Sequence, residues 1–225
     1  MENKDKNRVK DDLQTPPSEP NLEMANAIIH IIGIIFGVSA MPILSALSLK
    51  TGNISDITAV TIYAFSFLMT FTFSTLYHIV SDVDLKRNLR KFDHISIYIL
   101  IAGTYTPFLL IYIFDSFGIS LLVIQWSLVL LGTVFKLFYT GKFKLLSTMI
   151  YIAMGCLLFV GGKKFFVALP TPVMIWIMVG GALYIFGCVF YLNKKIYYHH
   201  AIWHLFVLLA AICHYVAVGV AIYNW

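Results

Sequence analysis

Three histidines and an aspartate stand at the ends of stretches long and apolar enough to cross a membrane. His78 closes one such stretch, Asp93 opens the next, and His200 and His204 open the last, one helical turn apart. Ionisable side chains are costly in hydrocarbon, so those that are kept there are functional candidates. Imidazoles at i and i+4 share a helix face and suit tetrahedral zinc. Three imidazoles leave a fourth position open, which is the arrangement of catalytic rather than structural zinc sites, and bound zinc brings a water's pKa to about 7. A carboxylate such as Asp93 can then take a proton from that water or hold it in line. Ser74, one turn before His78, can hydrogen-bond the water or a substrate oxyanion.

The elements that must position these residues follow from composition. The chain has 225 residues, 60% of them hydrophobic and only 12% charged, outside the range of soluble globular domains. A spanning helix needs about 20 mostly apolar residues. An all-α bundle of seven transmembrane helices is therefore expected, at roughly 25–48, 57–80, 93–114, 118–139, 145–162, 170–192 and 201–223. Residues 1–22 are charged, contain prolines and are expected to be a disordered cytoplasmic tail, leaving 23–225 as one transmembrane domain. With the N-terminus cytoplasmic, thirteen Lys and Arg fall on the cytoplasmic side and only Lys50, Lys163 and Lys164 on the other. The positive-inside rule thus sets the N-terminus inside and the C-terminus outside. The net charge of +5 is explained by these loops and calls for no nucleic acid. In this topology Ser74, His78, Asp93, His200 and His204 all reach the cytoplasmic end of the bundle, although more than 120 positions separate the first from the last.

Plainer readings apply to the other polar residues. Asp93 alone would serve as a solvated helix cap. Glu23, Asn26 and His30 form a stripe at i, i+3 and i+7, either supporting the site or hydrogen-bonding between helices, and helix packing is the simpler expectation. His199 suits a membrane interface, and His94 points away from Asp93 around the helix. His214 lies about 15 Å beyond His204 along the axis, too far to share its metal, and is expected to pack or to line a pore. Gly33 and Gly37 make a GxxxG pattern that suits a close helix contact or a dimer face, so a homo-oligomer is allowed. Thr104 and Thr106 are expected to satisfy carbonyls freed by Pro107. Cys156, Cys188 and Cys213 show no pairing pattern and read as small buried residues. Tyr197, Tyr198, Trp203 and Trp225 suit interface belts.

These motifs resemble the haemolysin III family of bacterial membrane proteins, related to the progestin and adipoQ receptors and more distantly to alkaline ceramidases. The resemblance rests on Glu23, Asn26 and His30; Ser74 and His78; Asp93 followed by Gly103-Thr-Tyr-Thr-Pro107; and His200, His204 and His214. It implies a seven-helix protein of the bacterial cell membrane with zinc held by His78, His200 and His204 near the cytoplasmic face, and Asp93 and Ser74 in the same site. The receptor and ceramidase relatives imply hydrolysis of a lipid amide, with a membrane lipid as substrate and the bilayer as surroundings. The haemolysin name implies instead a cytolytic pore. A transporter or sensor with structural zinc is a further alternative.

Overall fold

The computed structural model describes residues 19–193 and 195–223, with the side chain of Lys144 left aside. Most of the expected tail, residues 1–18, and Trp225 lie outside the described residues. The described chain is helical: α1 (Pro20–Thr51), α2 (Ile54–Ile79), α3 (Val83–Tyr112), α4 (Ser116–Tyr139), α5 (Lys144–Gly155), α6 (Leu157–Val160), α7 (Gly162–Ala168), α8 (Thr171–Leu192) and α9 (His199–Tyr223). Six of these, α1 to α4, α8 and α9, are long and apolar enough to cross a membrane.

Local signals set the helix ends. Pro20 sits in the first turn of α1, where its missing N–H costs nothing. Gly52 ends α1 in the left-handed region at φ 67°, which lets its N–H return to the Leu49 carbonyl. Asn53 caps α2 by accepting from the Ser55 N–H, and Asp82 caps α3 by accepting from the Leu85 N–H. The third helix thus starts ten residues before the apolar stretch that announces it. Asp93 is not a solvated cap; it lies well inside α3 and is buried.

Helix packing follows the small residues. A side chain on Gly33 would collide with the Phe71 ring, and one on Gly37 with Leu68 and Phe67. The GxxxG pattern therefore seats α1 against α2 within one chain. Gly103 gives α3 the same close approach to Ser66 of α2. The most enclosed long helix is α3, which packs on α2, α4, α5 and α9, while α9 packs on α8 and α1. Tyr63, Phe67, Phe71 and Leu109 fill the core between them. At Pro107 the expectation is revised. Thr104 donates to the Leu100 carbonyl at 2.7 Å and Thr106 to the Ala102 carbonyl at 2.8 Å, so neither reaches the Gly103 carbonyl that the proline leaves free.

The segment expected as one span over 145–162 is instead three short helices, α5 to α7. A twelve-residue α5 reaches only about 18 Å; it ends at Gly155 and Cys156, and a second break follows at Gly161 and Gly162, the last at φ 51°. The segment still runs the length of the bundle. At one end Lys136 of α4, buried, donates to Ser147 at 2.6 Å, and Tyr151 donates to the His94 carbonyl at 3.1 Å. At the other, Lys164 of α7 pairs with Asp115, the cap of α4, at 2.5 Å.

Asp115 also accepts from the N–H groups of Phe117 and Gly118. The hydrogen bond from Lys164, followed by that from Gly118, holds its carboxyl below the usual carboxylate range. A depressed folded-state pKa stabilises the protein above the unfolded value of about 4, and the contribution is lost as pH falls through the lowered value. Asp115→Ala should therefore lower the melting temperature of the purified protein at pH 7. Thermal scans on both proteins should show the difference shrinking as the pH is taken below 4, and a gap that persists unchanged there contradicts the assignment.

Candidate metal centre

Four helices bring their polar residues to the end of the bundle where α2 finishes and α9 begins. Helical spacing puts Glu23, Asn26 and His30 on one face of α1, and Ser74 and His78 on one face of α2. Asp93 comes from α3, and His200 and His204 come from the first turns of α9. Asn26, His30, Ser74, His78, Asp93 and His204 are all buried.

The contacts form a line. Lys86 Nζ lies 3.1 Å from Glu23 Oε1, and Glu23 Oε2 lies 2.5 Å from His78 Nδ1. His78 Nε2 faces His204 Nε2 at 3.2 Å, and His204 Nδ1 lies 2.7 Å from His30 Nε2. A carboxylate accepts only, so His78 Nδ1 carries a proton, and Nε2 is the ring nitrogen turned to His204. Two ligands at 2.0–2.1 Å from a tetrahedral zinc stand roughly 3.3 Å apart, close to the spacing seen here. Each of the two rings is also held from behind, His78 by Glu23 and His204 by His30, as metal-bound imidazoles are.

His30, His78 and His204 bring nitrogens within 4.8 Å of one another, close enough to share an ion. Of the sequence-predicted residues, His78 and His204 are thus brought together. His200 is adjacent, its ring centre 4.4 Å from that of His204 and 5.7 Å from that of His78, but it is outside the tightest group. His30, expected to pack helices, is inside it. The signal that could have found it is the i, i+3, i+7 stripe, which places His30 two turns beyond Glu23 on the face that meets His78 and His204.

Asp93 Oδ2 lies 3.4 Å from the Nδ1 of His94, which also donates to the Arg90 carbonyl at 2.7 Å. The hydroxyl of Ser74 is buried with no hydrogen-bond partner among the described residues. Both residues, with His30 and His204, line one end of a largely apolar cavity of about 280 Å³ that continues past Phe108 and Phe165. That is just under the usual size of a small-molecule site, roughly 300–1,000 Å³.

A multi-pass helical membrane protein with a buried histidine cluster at one end of an apolar cavity is the class that fold and site define. The model of the family described as "Haemolysin-III related" matches residues 19–215. The chain is 44% identical over 186 residues to the "Hemolysin-3 homolog" of Bacillus subtilis (strain 168), covering 83% of this chain and 87% of that protein. It is 42% identical over 186 residues to "Hemolysin-3" of Bacillus cereus, covering 83% and 85%. It is 30% identical over 171 residues to the human "Monocyte to macrophage differentiation factor", covering 72% and 70%. The chain belongs to the haemolysin III family.

If Glu23 and His30 act by holding the two facing imidazoles, Glu23→Gln and His30→Ala should each weaken metal affinity by about 10–100-fold without changing the stoichiometry of one ion. Chelator competition on purified protein measures this. Unaltered affinity in Glu23→Gln removes its supporting role, and complete loss of binding in His30→Ala makes His30 a ligand.

Proposed function

We propose that this protein is a zinc-dependent hydrolase of a membrane lipid amide. The facing Nε2 atoms of His78 and His204, at the polar end of an apolar cavity, are the observation that carries this reading. His78, His200 and His204 hold the metal, and His30 and Glu23 fix the rings. The all-imidazole donor set favours zinc over magnesium or calcium. When bound, zinc supplies Lewis-acid activation of a water and of the amide carbonyl.

The chain's own residues do the rest. The cavity takes the acyl chain, so that the amide carbonyl sits beside Asp93 and Ser74. Asp93 accepts the proton of the attacking water as the new carbon–oxygen bond forms. The Ser74 O–H, which has no partner among the described residues, donates to the carbonyl oxygen as negative charge builds on it. Asp93 then returns the proton to the nitrogen as the carbon–nitrogen bond breaks. The products are a fatty acid and an amine.

The family's bacterial relatives support a place in the bacterial cell membrane. Contacts of the segment α5 to α7 with His94 at one end and with Asp115 at the other support its reading as a seventh crossing. The histidine end, rich in Lys and Arg, faces the cytoplasm. A cytolytic pore draws support from the relatives' names, but an apolar internal space suits an acyl chain better than water.

Purified protein assayed for zinc content and for release of fatty acid from ceramide-type amides tests the mechanism. Asp93→Ala should keep its zinc and lose at least about 100-fold in turnover. His204→Ala should lose both metal and turnover. Hydrolysis by His204→Ala at the wild-type rate rejects it.

A further inference from the structure

Midway along the same cavity stands a second polar pair with no place in the chemistry above. His214 of α9 and Tyr184 of α8 both line the cavity, with ring centres 5.6 Å apart. Gly180, one turn before Tyr184, gives His214 its position: a side chain there would collide with His214 Cδ2 and Nε2. His214 Nε2 lies 3.3 Å from the Ile177 carbonyl. A carbonyl only accepts, so Nε2 carries the proton and the neutral ring's Nδ1 is an acceptor. That Nδ1 is buried without a partner among the described residues, and so is the Tyr184 hydroxyl.

An unused acceptor and an unused donor on two neighbouring residues that line one cavity are matched by a single hydroxyl group. It donates to His214 Nδ1 and accepts from Tyr184 O–H; a ketone can make only the second bond, and a methylene makes neither. His214 is ten residues past His204 on one helix, about 15 Å along the axis, the reach of roughly a dozen bonds of an extended hydrocarbon chain. We propose that Tyr184 and His214 form a hydroxyl-recognition subsite, so that the preferred acyl chain carries a secondary alcohol near its middle, roughly ten to thirteen carbons from the carbonyl. This rests on the reading of the cavity as an acyl-chain site.

Octadecanoic acid and its 12-hydroxy and 2-hydroxy derivatives, competed against a fluorescent fatty acid on the purified full chain, test it. The 12-hydroxy acid should bind about five- to tenfold more tightly than the other two, the worth of one or two buried hydrogen bonds. Tyr184→Phe removes only the hydroxyl from the ring and should shrink that preference, read as the ratio of the two affinities within the variant. Equal binding of all three acids, as when a water already satisfies the pair, overturns the subsite and leaves the acyl cavity standing. So does a preference that survives intact in Tyr184→Phe. If none of the three binds, the cavity reading and the subsite fall together.

Discussion

An apolar bundle gives polar side chains little but one another to bind. At the end where α9 begins they form one connected line, Lys86 to Glu23 to His78 to His204 to His30, at 3.1, 2.5, 3.2 and 2.7 Å. That line passes through α3, α1, α2 and α9 and fixes the rotation of each helix about its axis. Breaking one link would strand a buried partner, which costs more than a single bond is worth. Its centre is the contact of two imidazole nitrogens. With one His78 proton committed to Glu23, the two Nε2 atoms can face each other across a proton on either ring or across a metal ion held by both. The metal fits because both rings are already held from behind.

The same economy shapes the interior. Close approaches at Gly33, Gly37 and Gly103 bring α1, α2 and α3 together, and large aromatic side chains fill the core they enclose. The space left over is largely apolar, with histidines at one end and Tyr184 and His214 further along. A long hydrocarbon chain with a hydrolysable group at one end fits that distribution. The broken segment α5 to α7 walls one side through Leu158 and Phe165.

Much of this was legible in the sequence. Six apolar stretches became long helices, and topology alone brought Ser74, His78, Asp93 and His204 to one level. Three features were hidden for identifiable reasons. Hydropathy marks where a stretch turns apolar, not where a helix starts, so the polar turns from Val83 onward went unseen and Asp93 resembled a cap. The run 145–162 is largely apolar, and its breaks at Cys156 and at Gly161–Gly162 are backbone conformations that composition does not encode. The role of His30 depends on the rotation of α1, which the glycine seat on Phe71 and Phe67 decides. A stripe of three polar residues on one face was the available clue, and it could not distinguish packing from ligand support.

X-ray absorption at the zinc edge of metal-loaded protein measures the central contact most directly. We expect a first shell of nitrogen near about 2.0 Å, with the outer-shell scattering of imidazole rings diminished when His78 is replaced by alanine. A first shell without imidazole scattering, or a spectrum indifferent to that replacement, contradicts the account.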